Sequence, residues 1–393
     1  MKYDFDTVID RYNSSSLKYD CAKQWGVPED VLPMWVADMD FKTAPEILDA
    51  LHKSVDFGIF GYSIPPAEYY EVVVNWFKER FAWEAKPEWI LKTPGVVFAI
   101  STAIRALTCE GDSVMIQQPV YYPFRATIED NKRVCINNPL VLKDGHYEMD
   151  YEDMESKIKE HNVKLFVLCS PHNPVGRVWS VEELEKLLAV CKRHNVFIIS
   201  DEIHCDFIYP GHTHTVLAKL AEDYLDNIMI CTSPSKSFNL AGLQLSHIFI
   251  PNEDVRKAFQ KELNVIPYDE SGTLALVAGR AAYEKGADWM EELKVYLKKN
   301  VDYVRCFLQE NLPKVHLIEP EGTYLIWLDF REYGLSAEKL QHKMLHEAKL
   351  WLDEGTMFGE EGTGFMRVNI ACPRVTLEKA MEQLKGAFAT NEF

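Results

Sequence analysis

Between residues 113 and 250 the chain alternates short apolar runs with amphipathic stretches, a rhythm that constrains its fold more than any other feature. Ser113-Val-Met-Ile-Gln117, Val163-Lys-Leu-Phe-Val-Leu168, Val196-Phe-Ile-Ile199 and Asn227-Ile-Met-Ile-Cys231 read as strands. Ser180-Val-Glu-Glu183 has the spacing of a capping box, so a helix is expected to start there and run from Leu184 to His194. Strands joined through helices pair in parallel. His247-Ile-Phe-Ile250 follows its predecessor too closely for a crossover helix, which predicts one antiparallel strand. The fold class is therefore α/β: an open, mostly parallel central sheet with helices on both faces. From about Asn300 the pattern changes, and Gly322-Thr-Tyr-Leu-Ile-Trp-Leu-Asp329 is strand-like between long helical stretches. The expected division is a large domain over 46–285, a smaller α+β domain over 286–393, and a segment 1–45 that joins the smaller one.

In open α/β sheets ligands bind beyond the carboxyl ends of the strands. Asn173, Asp201 and Lys236 each fall just after an expected strand, so an amide, a carboxylate and an amine share one rim. A lysine amine attacks an aldehyde only after losing its proton, which burial and nearby cations promote. Lys236 lies in Ser233-Pro-Ser-Lys-Ser-Phe-Asn-Leu-Ala-Gly242, with no acid adjacent; taken alone it reads more readily as a surface loop lysine. Asp201 ends an apolar strand; a solvated turn is one reading, but acids rarely end such strands without a partner. Thr93-Pro-Gly95 turns tightly into an apolar helix, whose start suits an anion, although an ordinary loop-to-helix junction is the simpler reading of this segment alone. Tyr121 offers a flat face or mere packing, and Arg367 a carboxylate clamp or a solvated strand residue.

Composition narrows the classes. A net charge of −18, a pI near 5.2 and no basic stripe argue against a nucleic-acid partner. No apolar run is long enough to span a bilayer, so no membrane partner is expected. The N-terminus lacks the apolar core of a signal peptide. Nine scattered cysteines without a C-x-x-C pair read as reduced thiols in the cytoplasm. His212-x-His214, with His204 nearby, is the nearest approach to a metal cluster, and no metal is expected.

Taken in order, Thr93-Pro-Gly95, Pro119-Val-Tyr121, Pro171-His-Asn-Pro-Val-Gly176, Ser200-Asp-Glu-Ile-His204, Ser233-Pro-Ser-Lys236 and Arg367-Val-Asn-Ile-Ala-Cys-Pro-Arg374 resemble the fold type I pyridoxal 5'-phosphate (PLP) enzymes of aminotransferase class I/II. The resemblance covers nearly the whole chain and implies roles. Lys236 would bond the cofactor aldehyde and carry protons, and Asp201 would pair with the pyridine nitrogen. Asn173 would donate to the phenolic oxygen, and Tyr121 would stack on the ring. Val96, Val97, Ser233 and Ser235 would hold the phosphate, and Arg367 the substrate α-carboxylate. Tyr62 would reach the phosphate of a second subunit, making the active unit a homodimer. Two positions depart from the transaminase pattern: Gln244 stands where an arginine usually meets the phosphate, and His204 where a tyrosine is usual. With Met34-Trp-Val-Ala-Asp-Met-Asp-Phe41, these departures resemble the MalY/PatB-like cystathionine β-lyases, or C–S lyases. Trp35 and Phe41 taken singly also fit a buried strand that merely packs. The subgroup implies α,β-elimination to a thiol, pyruvate and ammonia. Transamination, which uses the same groups, is the alternative, and some members also regulate by binding a partner protein. Arg125 and Arg374 remain open as clamps for a distal acid.

Overall fold

The apolar runs become one seven-stranded sheet in the computed structural model, which describes residues 2–268 and 270–388. Its strands are β1 (Ile90–Thr93), β2 (Ser113–Ile116), β3 (Val134–Asn137), β4 (Leu165–Cys169), β5 (Phe197–Asp201), β6 (Ile228–Thr232) and β7 (Ser246–Phe249). They lie in the order β1-β7-β6-β5-β4-β2-β3. From β6 to β3 every pairing is parallel, and β7 runs antiparallel to both β6 and β1. The short link between Thr232 and Ser246 leaves no other orientation.

Successive residues on a strand point to opposite faces, and here both faces are covered. Val114, Ile116, Leu165, Val167 and Ile199 pack under helix α1 (Val96–Leu107). Met115, Phe166, Leu168 and Ile198 join the larger core on the other side. Apolar contact on both sides is why these strands read as continuous runs rather than alternating ones. Helix α2 (Val181–Arg193) starts at the expected capping box: the Ser180 hydroxyl accepts from the Glu183 N–H at 3.2 Å, and Glu183 accepts from the Ser180 N–H at 2.8 Å.

A second, antiparallel sheet holds β8 (His316–Ile318), β9 (Leu325–Asp329), β10 (Asp353–Glu354) and β11 (Phe365–Asn369), in the order β8-β9-β11-β10. The 25-residue helix α3 (Ala287–Asn311) packs against β8 and against helix α4 (Arg374–Phe388). Buried Arg177, just beyond β4, ties the two sheets by donating to Glu321 at 2.9 Å. Gly322 must be glycine there, since a Cβ would lie 2.6 Å from the Phe207 carbonyl. No helix among the described residues is long and apolar enough to cross a membrane, and all nine cysteines are free thiols.

The run Met34–Phe41 is not the strand that its apolar residues suggested. Only Leu32–Pro33 pair, in parallel with Leu350–Trp351. Beyond them side chains take over the work of a neighbouring strand. Asn369 donates to the carbonyls of Val36 and Asp38, both at 2.6 Å. Asn239 accepts from the Met39 N–H and donates to the Met39 and Phe41 carbonyls, each at 2.9 Å. Trp35 stacks on Trp351 with ring centroids 4.3 Å apart. Asp40 is buried between Lys18 at 2.9 Å and Arg11 at 2.7 Å, a pairing that compensates charges removed from water. The segment is a strap, held from both sheets and crossing the rim of the larger one.

Candidate active site

A cavity of about 200 Å³ opens where that rim meets the strap. Asp201 is the last residue of β5, Asn173 follows β4 by four residues, and Lys236 follows β6 by four; all three line the cavity. Strand-end placement thus converges them, as the topology of such sheets requires. Helix α1 begins on the same wall with Val96 and Val97, and no side chain caps its first turn. Its free N–H groups and the positive end of its dipole form a seat for an anion. Tyr121, His204, Ser233 and Ser235 complete the expected lining.

Lys236 Nζ donates to the Ala37 carbonyl of the strap at 2.8 Å, and the Tyr324 hydroxyl donates to the same oxygen at 2.9 Å. Burial, aided by the Arg367 charge, lowers the Lys236 pKa to about 8, while Asp38 and Asp201 act in the opposite sense. A useful fraction of the amine is therefore unprotonated near neutrality. Asp201 Oδ1 accepts from the Ile203 N–H at 3.1 Å. Burial pushes its carboxyl up to about 7, against the pull of that N–H and of Lys236. No cation among the described residues pairs directly with this group, and a protonated ring nitrogen placed against it would favour the ionised form. Burial, with the Lys236 and Arg367 charges, lowers His204 to about 3, so its ring is neutral; its Nδ1 is buried without a partner.

Arg367 lies behind the lining residues, in the middle of β11, and reaches the cavity through Asn173, whose Oδ1 accepts from its Nη1 at 3.0 Å. Ser233 differs from the expected phosphate donor. Its hydroxyl gives its proton to the Leu245 carbonyl at 2.6 Å and accepts from the Ser235 N–H at 3.0 Å, capping the turn that carries Lys236. Gln244 is exposed at the end of the 241–243 turn, outside the cavity lining. Tyr62 is 96% exposed and sits on a separate hollow with Gly242 and Leu243. Arg125 pairs with Glu129 on its own helix, and Arg374 donates to Asn300, so neither faces the cavity. The three histidines go separate ways: His214 bonds Glu202 at 2.9 Å, His212 lies 3.9 Å from Glu321, and His204 stays in the cavity.

The donor set fits a flat, phosphorylated pyridine aldehyde. It offers an anion seat, a carboxylate short of a cation, an aromatic face and an amine that gives up its proton. The aminotransferase class I and II model matches residues 29–384. The chain belongs to the aminotransferase class I and II family. Within this family it is 44% identical to cystathionine beta-lyase PatB of Bacillus subtilis, over 98% of this chain and all of that protein. A PLP-bound putative aminotransferase from Clostridium difficile 630 matches with a TM-score of 0.96 and 44% identity, over 98% of this chain and 100% of the other. Cystalysin from Treponema denticola, which contains a pyridoxal 5'-phosphate cofactor, matches with a TM-score of 0.95 and 39% identity, over 98% and 99%. Reasoning from sequence missed three participants: the Ala37 carbonyl, Tyr324 and Asp353. Ala37 lay in Trp35-Val-Ala-Asp-Met-Asp-Phe41 and Tyr324 in the strand-like run Gly322–Asp329, both already singled out, while Asp353 lay in neither.

Proposed function

We propose that the protein is a PLP-dependent carbon–sulfur lyase of the cystathionine β-lyase type, cleaving the Cβ–S bond of a sulfur amino acid. The observation that carries this reading is the 44% identity to cystathionine beta-lyase PatB across the full length of both chains. The catalytic groups alone serve elimination and transamination equally. Bound PLP would supply an aldehyde for amines and a protonated ring that draws electrons from the substrate Cα. Lys236 would hold its aldehyde end, Asp201 its ring nitrogen, Asn173 its phenolic oxygen, Tyr121 its face, and the Val96 and Val97 amides with Ser235 its phosphate. His204, neutral and short of a partner, lies on the same wall as a further polar contact.

The chain's residues then act on the substrate in turn. Arg367 with Asn173 fixes the α-carboxylate. The Lys236 amine takes the Cα proton. The strap carbonyl at Ala37 holds that amine on one side of the cavity. The Cβ–S bond breaks, the thiolate leaves with a proton, and water converts the remaining three-carbon unit to pyruvate and ammonia. PLP-loaded protein given L-cystathionine without any keto acid is expected to release pyruvate and thiol in equal amounts. Amino transfer appearing only after a keto acid is added would reassign the protein as an aminotransferase.

The same proposal includes a homodimer. Phe57, at the end of the helix Pro45–Phe57, and Ile59, Phe60, Tyr62 and Ile64 on the loop that follows stand exposed, an apolar patch that a second copy would cover. Tyr62 would then enter the neighbouring phosphate seat, offsetting the missing cation at Gln244. Mixing Tyr62→Ala and Lys236→Ala proteins is expected to restore up to about a quarter of wild-type activity, because each mixed dimer rebuilds one intact site. Activity no higher than the sum of the separate variants would remove Tyr62 from the partner's site.

A further inference from the structure

The proposed carboxylate clamp comes with a carboxylate of its own. Asp353 on β10 lies directly opposite Arg367 on β11, and opposed residues of an antiparallel pair share a face. Asp353 Oδ2 accepts from Arg367 Nη2, and both side chains are 3% exposed. The other Nη2 proton goes to the Trp35 carbonyl at 3.1 Å, and Nη1 donates to Asn173 at 3.0 Å. Phe358 lies against the guanidinium, 4.9 Å from ring centre to Cζ. A guanidinium has five N–H donors. Three are spent in this way; Nε is buried without a partner, and one Nη1 proton remains.

We propose that Asp353 is the resident counter-ion of the Arg367 clamp: it fixes the guanidinium and cancels most of its charge, so that an α-carboxylate is chosen by the hydrogen bonds Arg367 still has to give rather than by net charge. This rests on Arg367 being the clamp. Asp353 is a positioning residue, acting on substrate through Arg367. Its charge repels an incoming carboxylate while its oxygen holds the arginine to receive one. Arg367 still acts on the Lys236 amine, whose pKa it helps to lower. Asp38 on the strap and Asp201 on β5 are the other charges facing that amine.

The test compares binding of L-alanine and L-alaninamide to PLP-loaded protein, read from the cofactor absorbance without any turnover. Asp353→Asn keeps an oxygen for Nη2 but drops the charge. The preference for the acid over the amide is expected to rise roughly tenfold, with amide affinity nearly unchanged. Asp353→Ser, which also removes the charge, is expected to shift the preference in the same direction. A purely structural role would weaken both ligands together; an unchanged or smaller preference in both variants overturns the proposal. Arg367→Gln separates the two readings. If it keeps the wild-type preference for the acid, the clamp assignment itself fails, and the counter-ion role with it.

Discussion

Lys236→Ala is expected to lower kcat by at least about 10⁴-fold while leaving the fold intact. The amine serves twice, as the group that bonds the cofactor aldehyde and as the base at Cα, and no neighbour can replace it. His204 is held neutral on the same wall, but it is a weak base, lowered to about 3 by burial and the adjacent cations. Ala37 and Tyr324 offer only a carbonyl and a hydroxyl whose proton is already given to that carbonyl. The measurement is steady-state pyruvate release, paired with borohydride reduction of the loaded protein. Reduction should tether the cofactor to the peptide containing Lys236 in the wild type and leave it removable in the variant. Near-normal turnover by Lys236→Ala would sink the mechanism.

Asp201→Asn is expected to cost about 10³-fold in kcat while PLP still binds. The amide nearly matches the carboxylate in size and keeps an oxygen for the Ile203 N–H at 3.1 Å. It loses the charge that would keep a ring nitrogen protonated. The carboxylate is poorly served by its surroundings: burial, with a smaller push from Glu202, raises its pKa to about 7. Asp201→Glu, which restores the charge with a shifted reach, should recover part of the rate. Single-turnover removal of the substrate Cα proton, followed by deuterium exchange, locates the loss. An exchange rate equal to wild type in Asp201→Asn would show that Asp201 does not support that step.

What the sequence made legible is what depends on local pattern. The parallel strands announce themselves because both their faces are apolar, and helix α2 because Ser180 and Glu183 bond reciprocally within one turn. Asp201 and Lys236 could be placed on one rim because a strand end is a local feature and the topology does the rest. The strap could not be read this way. Its anchors are Asn239, Asn369 and Arg367, some 200 to 330 residues away, and what they hold are backbone carbonyls, which carry no residue identity. For the same reason Ala37 gave no hint of receiving Lys236. Ser233 has the right type and place for a phosphate donor, but the Leu245 carbonyl, twelve residues on, claims its proton. Asp353 was invisible because its partner is set by the register of β10 against β11, which nothing nearby encodes.

The strap has a consequence for the order in which the enzyme can be made. Residues 35–41 leave the ribosome before their anchors at Asn239, Tyr324, Arg367 and Asn369, three of which follow some 290 to 330 residues later. Until β11 is synthesised and packed, the Ala37 carbonyl has no fixed position and Lys236 has no resting place. A nascent chain can complete its large sheet and expose the cofactor seat long before it can close it. Competence is therefore withheld until β11 has been made and packed, and a chain released before that would carry the reactive lysine without the element that disciplines it.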